Sequence, residues 1–377
     1  MSSALFPTYA RNSLELVRGS GSIVVDAQGK QYLDYTAGIA VCNLGHSHPR
    51  LNAILQQQSE AIWHTSNLYE NSLQEKVAKQ LGGSDYLAFF ANSGAEANEA
   101  AIKLARKHTG KDKIITCLAS FHGRTFATMS ATGQRKIHDG FGSLLPTFDY
   151  VPFNDFEALV AVADNQTAAI MLELVQGEGG VIPANQDYIA KVADFCNEHQ
   201  ILLIVDEVQT GIGRTGSLFC GEIYGIQPDI ITVAKGLGNG FPVGAMLGKK
   251  KFASSFGAGS HGSTFGGNKL AMSVANETLK IIQEPNFLNE VKEKATYLQQ
   301  LLKVELKQKQ QVVAIRGLGF LLGIELIDPV APLIVKLQEK GVLILSAGPN
   351  VMRILPPLTT TKEEIQLAVK LISEEIN

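Results

Sequence analysis

The sequence has little charge for its length, and the two signs nearly balance. Charged residues make up 18% of the 377 residues and the formal net charge is −3, so the basic excess typical of nucleic-acid-binding proteins is absent. No apolar run approaches the length of a membrane-spanning helix. The first residues also lack the basic and then apolar pattern of a secretory signal. These absences predict a cytoplasmic protein that binds neither nucleic acid nor membrane.

Clustered cysteines are absent as well. The four cysteines lie far apart without a CxxC pair, so neither a disulfide framework nor a zinc site is predicted. His46 and His48 lie close together, but no third ligand follows at a suitable spacing, and a turn before a helix is the better interpretation. The sequence does contain 45% hydrophobic residues, enough over this length for two domains with a large core.

The stretch from 201 to 240 carries the strongest indication of chemistry. An apolar run at 201–205, typical of a buried strand, ends at Asp206, and a second run at 230–233 ends just before Lys235. Ligands of open parallel sheets bind beyond the carboxyl ends of the strands, so both side chains are predicted to face one crevice. A lysine that can form a Schiff base and an acid that can keep a pyridine nitrogen protonated together suit pyridoxal 5′-phosphate (PLP). Either residue alone is better explained as a turn cap or a solvated lysine.

Three other segments follow predicted strands. Ser93 and Gly94 open a helix whose free N–H groups suit a phosphate, although ordinary N-capping is the simpler explanation of a lone Ser-Gly pair. Phe121 could stack on an aromatic ring and Arg124 could bind a carboxylate; a core Phe and a surface Arg are the alternative. Glu178 lies among glycines, whose backbone can come close to a ligand.

The alternation of strands and helices predicts an α/β protein with a mainly parallel central sheet. Near Pro285 the sequence pattern changes. A long amphipathic helix and then short strands are predicted from there on, which indicates a smaller α+β unit. The last helix opens with a capping box at Thr361–Glu364. We predict a large domain at 50–284 and a discontinuous small domain made of 1–49 and 285–377.

The motifs, taken in order, resemble the class-III, PLP-dependent aminotransferases of fold type I, from about Leu5 to the C-terminus. The matching segments are Asn92–Glu99, Phe121–Thr125, Glu173–Gly180, Asp206–Gly211, Ala234–Gly236 and Gly262–Asn268. Within this class, residues 38–46 and 64–67 are most similar to the acetylornithine aminotransferases. Leu174 and Lys269 depart from the pattern, since relatives usually have proline there, and we expect them to loosen two loops without touching a reacting group.

The resemblance implies how PLP is bound. Lys235 would form the Schiff base and later move the proton between Cα and C4′, while Asp206 would hold the pyridine nitrogen protonated. The remaining contacts would come from Gln209 at the ring hydroxyl, Phe121 on the ring face, and Ser93, Gly94, Ala95 and the partner's Thr264 at the phosphate. The last contact implies a homodimer with shared active sites.

The resemblance also implies the substrates. Arg124, with Ser263 nearby, would bind one carboxylate, and Arg353 with Glu178 would form a gate for a second. The implied reaction converts N-acetylornithine and 2-oxoglutarate into N-acetylglutamate 5-semialdehyde and glutamate, in arginine biosynthesis. Ornithine, succinylornithine and succinyldiaminopimelate transaminases remain alternatives, as does a PLP-dependent aminomutase, which needs no external 2-oxoglutarate. The intact Lys235 and Asp206 argue against a non-catalytic descendant.

Overall fold

The computed structural model describes residues 4–376 as alternating strands and helices. The strands are β1 (Leu16–Ser20), β2 (Ile23–Asp26), β3 (Gln31–Asp34), β4 (Tyr86–Ala91), β5 (Lys113–Cys117), β6 (Phe148–Val151), β7 (Thr167–Leu172), β8 (Val175–Gln176), β9 (Ile182–Pro183), β10 (Leu202–Asp206), β11 (Ile230–Val233), β12 (Gly244–Lys249), β13 (Val312–Leu318), β14 (Leu321–Leu326), β15 (Val342–Leu343), β16 (Leu345–Ser346) and β17 (Val351–Ile354). The helices are α1 (Ala37–Ala40), α2 (Pro49–Ala61), α3 (Ser72–Gly82), α4 (Gly94–Thr109), α5 (Phe126–Ala131), α6 (Arg135–His138), α7 (Phe156–Val162), α8 (Gln186–His199), α9 (Gly221–Tyr224), α10 (Lys269–Ile282), α11 (Phe287–Glu305), α12 (Ala331–Glu339) and α13 (Lys362–Glu375), with 3-10 turns at Lys235–Leu237 and Lys250–Phe252. Within this range, none of the helices has both the length and the apolar composition needed to cross a membrane.

The central sheet has seven strands in the order β4-β12-β11-β10-β7-β5-β6. β10 pairs in parallel with β7 and β11, and β5 pairs in parallel with β6 and β7. Only β12 runs the other way, antiparallel to β11 on one side and to β4 on the other. The predicted mainly parallel sheet is therefore confirmed, and the carboxyl ends of the other strands meet at one edge.

β10 shows why an unbroken apolar run becomes a strand in the middle of this sheet. Alternate side chains of a strand point to opposite faces. Leu202 and Ile204 pack with residues of α4 on one face, whereas Leu203 and Val205 pack with residues of α8 on the other. Both faces are covered by helices, so every position must be apolar until the strand reaches the edge at Asp206. Burying each of these side chains contributes about 1.5–3 kcal/mol.

A second core lies in the C-terminal region. Residues of α11 and α13 pack with the antiparallel sheet β13-β14-β17-β16, and the early strand β3 contributes Leu33 to the same core. β3 also pairs in parallel with β15, with Leu33 opposite Val342. α13 begins with the predicted capping box, in which Thr361 and Glu364 bond each other's backbone N–H groups. This pairing of an early and a late strand supports the two-part small domain, whose boundaries stay a prediction.

Candidate active site at the carboxyl edge of the sheet

A cavity of about 380 Å³ lies where β4, β10 and β11 end. The predicted site residues among those that line it are Ser93, Gly94, Ala95, Phe121, Arg124, Asp206, Gln209 and Lys235. These residues come from segments far apart in the chain, and the shared direction of the parallel strands brings them together. Glu178, Arg353, Ser263 and Thr264 are not among the lining residues.

Asp206 is buried and accepts hydrogen bonds on both of its oxygens. Its Oδ2 accepts from Asn98 Nδ2 and from His122 Nδ1, each at 2.8 Å, and its Oδ1 accepts from the N–H of Val208 at 3.0 Å. Asn98 is fixed in turn by the hydroxyl of Thr232, which donates to Asn98 Oδ1 at 2.6 Å. The network fixes the orientation of a buried carboxylate, which can stabilise a positive charge on a ligand in a region of low dielectric constant.

His122 is the least expected member of this network. Burial opposes its charged form, but the hydrogen bond and the charge of Asp206 outweigh burial, and the pKa of His122 is raised above its ordinary value. Its Nε2 has no hydrogen-bond partner among residues 4–376. The sequence analysis gave no role to His122 or Asn98, although both lie in matching motifs. For Asn98, the available signal was a polar side chain on the otherwise alanine-rich inner face of α4.

Glu173 was also missed, although it lines the cavity. It is buried, and its Oε2 accepts a hydrogen bond from the backbone N–H of Phe121 at 3.0 Å. Burial raises the pKa of Glu173 to about 7, and the charge of His122 opposes this rise. Through its hydrogen bond to the N–H of Phe121, the carboxyl group holds the backbone from which the Phe121 ring projects. Its signal in the sequence was an acid directly after an apolar strand, the same signal that identified Asp206.

Lys235 follows β11 by two residues and lies in a strained turn. Its φ is +44°, in the left-handed region that residues other than glycine rarely adopt. Strain of this kind costs about 1–3 kcal/mol and concentrates at functional sites. Burial lowers the pKa of the Lys235 amine, and the charge of Glu178 opposes this effect. A lowered pKa leaves more of the amine neutral, as a nucleophile or a base requires.

The N-terminus of α4 is capped by a side chain and also has free N–H groups for an anion, the two alternatives that the sequence left open. Ser93 is the N-cap, and its Oγ accepts from the N–H of Glu96 at 3.2 Å. The N–H groups of Gly94 and Ala95 precede the first backbone bond of the helix, which Ala97 donates to Ser93, and both residues line the cavity. A Cβ on Gly94 would lie 2.7 Å from Val208, so only glycine fits. N-capping therefore leaves room for an anion.

Phe121 and Arg124 stand at the opening of the cavity. Phe121 is partly exposed and is therefore not a core residue, and the guanidinium carbon of exposed Arg124 lies 5.6 Å from the centre of its ring. Gly123 between them has a φ of +142°, and a Cβ there would lie 2.9 Å from Ala95 Cβ. The arginine has no carboxylate partner within the described residues, which leaves it able to bind one from a substrate.

Glu178 and Arg353 form an ion pair beside the cavity. Arg353 Nη1 donates to Glu178 Oε1 at 2.5 Å, to the carbonyl of Gly177 at 3.0 Å and to Gln209 Oε1 at 3.2 Å. Arg353 is buried on β17, and its Nε has no partner in the part of the chain described. The two charges are thus not unrelated surface residues, and they reach the cavity wall through Gln209. Their action as a gate stays a prediction.

Ser263 and Thr264 line a different cavity, of about 1170 Å³. Ser263 Oγ accepts a hydrogen bond from Asn92 Nδ2 at 3.2 Å, and Thr264 is exposed. Neither residue lines the cavity of Lys235 within its own chain. The predicted contact of Ser263 with a substrate and of Thr264 with the partner's phosphate site stay predictions.

Comparisons with known proteins agree with this geometry. A family model for class-III aminotransferases matches residues 7–376. An acetylornithine aminotransferase of Listeria monocytogenes serotype 4b is 58% identical over 98% of this chain and 96% of its own length, and that of Bacillus subtilis strain 168 is 55% identical over 99% and 98%. An ornithine aminotransferase structure from Toxoplasma gondii, with PLP in partial occupancy at its active site, has a TM-score of 0.93 at 33% identity and covers 99% of this chain and 92% of its own. The N-acetylornithine aminotransferase structure from Stenotrophomonas maltophilia K279a has a TM-score of 0.85 at 36% identity over 97% and 96%.

Proposed function

Because the chain belongs to the class-III aminotransferases, a PLP-dependent family, we propose that it is an acetylornithine aminotransferase. It transfers the amino group of N-acetylornithine to 2-oxoglutarate, which gives N-acetylglutamate 5-semialdehyde and glutamate, as a cytoplasmic step of arginine biosynthesis. The observation that carries the proposal is the meeting of Lys235, Asp206 and the N-terminus of α4 in one cavity. The 58% and 55% identity to acetylornithine aminotransferases supports the choice of substrate.

The cavity fits PLP in three respects. The amine of Lys235 can bind an aldehyde, buried Asp206 can pair with a pyridinium, and the free N–H groups of α4 suit a phosphate. Phe121 would contact the ring face and Gln209 the ring hydroxyl. When bound, PLP supplies an electron sink for the charge that develops at the substrate carbon bearing the amine.

The protein's own residues orient the reactants and move the proton. Asp206, held by Asn98 and His122, would stabilise a positive charge on the pyridine nitrogen of the cofactor. Lys235 Nζ would take the proton from the substrate carbon that bears the amine and deliver it to the former aldehyde carbon of the cofactor, C4′. Arg124 binds the carboxylate at the far end of either substrate, because it is exposed at the opening of the cavity.

Arg353 and Glu178 let one cavity accept two unlike substrates. N-acetylornithine has no carboxylate beside its reacting amine, whereas glutamate does. Arg353 binds this carboxylate of glutamate, and Glu178 neutralises Arg353 when N-acetylornithine occupies the site. A buried cation left without its partner costs about 3–5 kcal/mol, so a counter-charge is needed in that state.

A substrate panel tests the proposal. With 2-oxoglutarate as acceptor, we expect kcat/KM to be highest for N-acetylornithine, and lower for ornithine, succinylornithine and succinyldiaminopimelate. Ornithine is the main competitor, because an ornithine aminotransferase is among the similar structures. Turnover without added 2-oxoglutarate would instead indicate an aminomutase.

The covalent link has its own test. The purified protein should be yellow, and borohydride should fix the cofactor to Lys235, as peptide mass spectrometry would show. Lys235→Ala should abolish turnover and leave no reducible adduct, whereas Lys250→Ala, at an exposed lysine on the 3-10 turn 250–252, should behave like wild type. A colourless active protein, or an adduct on another lysine, would overturn the assignment.

A further inference from the structure

Arg214 is the largest side chain that is fully buried in residues 4–376. It forms no ion pair with a carboxylate of the described chain and donates instead to three neutral acceptors. Nη1 donates to the carbonyls of Phe320, at 3.2 Å, and Pro356, and Nη2 donates to Asn43 Oδ1 at 2.6 Å. Burial lowers the pKa of Arg214 to about 9, so the guanidinium is still charged at neutral pH. Burying a cation without a carboxylate partner costs free energy, which raises the question of what the arginine contributes at this position.

The three acceptors belong to separate parts of the chain. Phe320 lies between β13 and β14, Pro356 follows β17, and Asn43 follows the first three strands. The backbone of Arg214 joins the same contact, since its carbonyl accepts from the N–H of Phe320 at 2.9 Å. The planar guanidinium can bond acceptors in several directions at once, which a lysine ammonium on a flexible stem does less well.

Asn43 connects this arrangement to the turn of Lys235. Its amide packs against Gly236 so closely that a Cβ there would lie 2.7 Å from Asn43 Cγ. The other end of the turn is held to the same segment, because Asn239 Oδ1 accepts from the N–H of Leu44 at 2.6 Å and its Nδ2 donates to the carbonyl of Gly45 at 3.0 Å. Residues 43–45 thus form the support on which the turn 235–239 rests.

We propose that Arg214 is a positioning residue for the reaction: by holding Asn43 against Gly236, it keeps the Lys235 turn in its strained form. Arg214 does not line the cavity and touches no reactant. Its effect passes through Asn43 and the backbone of Gly236 to the amine. The inference rests on the proposed function only in taking Lys235 as the reacting amine.

Two variants test the proposal. Arg214→Lys keeps the charge but cannot hold all three acceptors. Asn43→Ala removes the link, together with the hydrogen bond from Asn43 Nδ2 to the carbonyl of Ile212 at 2.7 Å, and leaves both carbonyl contacts of Arg214. We expect each to lower kcat about tenfold while the KM of both substrates changes by less than about twofold, because the amine is misplaced but the binding groups are not. In the cofactor-free protein, amide hydrogen exchange of residues 234–241 should become about threefold faster or more.

Leu298→Ala is the matched control, because Leu298 is fully buried in the C-terminal core and lies outside the turn and its support. It should lower Tm without changing kcat or the exchange of 234–241. The double variant Arg214→Lys/Asn43→Ala should lose no more kcat than the worse single variant, since both act through one contact. If Arg214→Lys does not fold, Asn43→Ala alone should show the lower kcat and the faster exchange of residues 234–241.

The proposal is overturned if both folded variants lower Tm as Leu298→Ala does but keep wild-type kcat and wild-type exchange at 234–241. A wild-type protein without a cofactor absorbance band would be a separate failure, of the proposed function. The exchange measurement would still decide the role of Arg214 in that case, because it needs no cofactor.

Discussion

At the scale of single residues, the site consists of a few groups that would touch reactants and of others that hold them. Asn98 and His122 fix Asp206, and Glu173 fixes the backbone of Phe121. Buried polar groups need partners, so a reactive group kept away from water brings such a supporting shell with it. Replacing a reactive group should change the chemistry, whereas replacing its support should change geometry and stability.

Asp206→Asn should separate catalysis from cofactor binding. The amide keeps the size of the carboxylate but cannot stabilise a pyridinium, so we expect kcat to fall about a hundredfold or more. PLP affinity, measured by equilibrium dialysis, should change much less. Asp229→Asn, at the opposite end of β11 where Asp229 pairs with Lys249, is the control and should leave kcat near wild type. A near-normal kcat in Asp206→Asn would assign the charge partner elsewhere.

Glu178→Ala and Arg353→Ala should affect opposite halves of the reaction. Glu178→Ala leaves Arg353 unneutralised, so the half-reaction with N-acetylornithine should slow while that with glutamate is spared or improves. Arg353→Ala removes the proposed site for the second carboxylate and should slow the half-reactions with glutamate and 2-oxoglutarate most. Single-turnover absorbance changes measure each half-reaction separately. Equal losses in both, for either variant, would exclude the gate.

Glu207 should make stability depend on pH. Burial raises the pKa of Glu207 from 4.5 to about 7, so the unfolded chain releases this proton near pH 4.5 and the folded chain keeps it to about pH 7. The folded state binds more protons across that window, and its free energy of unfolding should fall as pH rises through it, by up to about 3 kcal/mol. The Glu207 carboxyl group accepts hydrogen bonds from the N–H of Gly221 and from the hydroxyl of Thr210, and Glu207→Gln keeps the acceptor for Gly221 while its amide can donate to the Thr210 oxygen. Urea unfolding between pH 4.5 and 8 should show a weaker decline in the variant; an unchanged slope would contradict this account.

At the scale of elements, predictions succeeded where a segment carried its own pattern. The apolar runs 86–90 and 230–233, each followed by a polar turn, predict strands, and the structure has strands at Tyr86–Ala91 and Ile230–Val233. α5 was not predicted, because all of its residues after Phe126 are buried and no polar face marks the helix. α1 was not predicted either. It is a left-handed turn with positive φ from Ala37 to Ala40, supported by Asp34, whose Oδ1 accepts from the N–H groups of Thr36 and Ala37.

Lys269→Pro should stabilise the protein. Lys269 was expected to loosen a loop, but it is the first residue of α10, where a helix tolerates proline and the backbone N–H has no helical partner. The preceding Asn268 has φ −57° and ψ 157°, a conformation that a following proline favours. We expect a gain of about 0.4–1 kcal/mol, mainly from a restricted unfolded chain, measured by urea unfolding. Lys269→Ala, which has no such restriction, serves as control, and a loss of stability in the proline variant alone would refute the argument.

At the scale of the whole molecule, the sequence predicted residues that line the cavity better than the residues that support them. Residues such as Asp206 and Lys235 stand in short motifs at strand ends, where local pattern and chemistry coincide. Arg214 and Asn43 act across distant parts of the chain, and no local pattern pairs them. Thr264 shows the same limit, because its predicted role depends on a second subunit.

Mixed dimers test whether Thr264 serves the partner's site. Thr264 is exposed beside Phe265, and Trp63 and Leu68 are exposed apolar side chains of the kind that mark protein interfaces. Lys235→Ala and Thr264→Glu homodimers should both be inactive, the second because a carboxylate would repel the phosphate. After unfolding and refolding together, half of the dimers should be mixed with one intact site each, so about a quarter of wild-type activity should return. A mixture that stays inactive would place Thr264 in its own subunit's site.

The pairing of β3 with β15 also determines when this protein can finish folding during its synthesis. Leu33 meets Val342, so the first strands emerge from the ribosome about 300 residues before their partner. At typical elongation rates of about 5–20 residues per second, that gap lasts about 15–60 s. β4 likewise stays unpaired until β12 has been synthesised, because Ala91 of β4 pairs with Gly244 of β12. The nascent chain therefore carries unpaired strand edges for most of its translation, and chaperones that shield such edges would find their substrate in this interval.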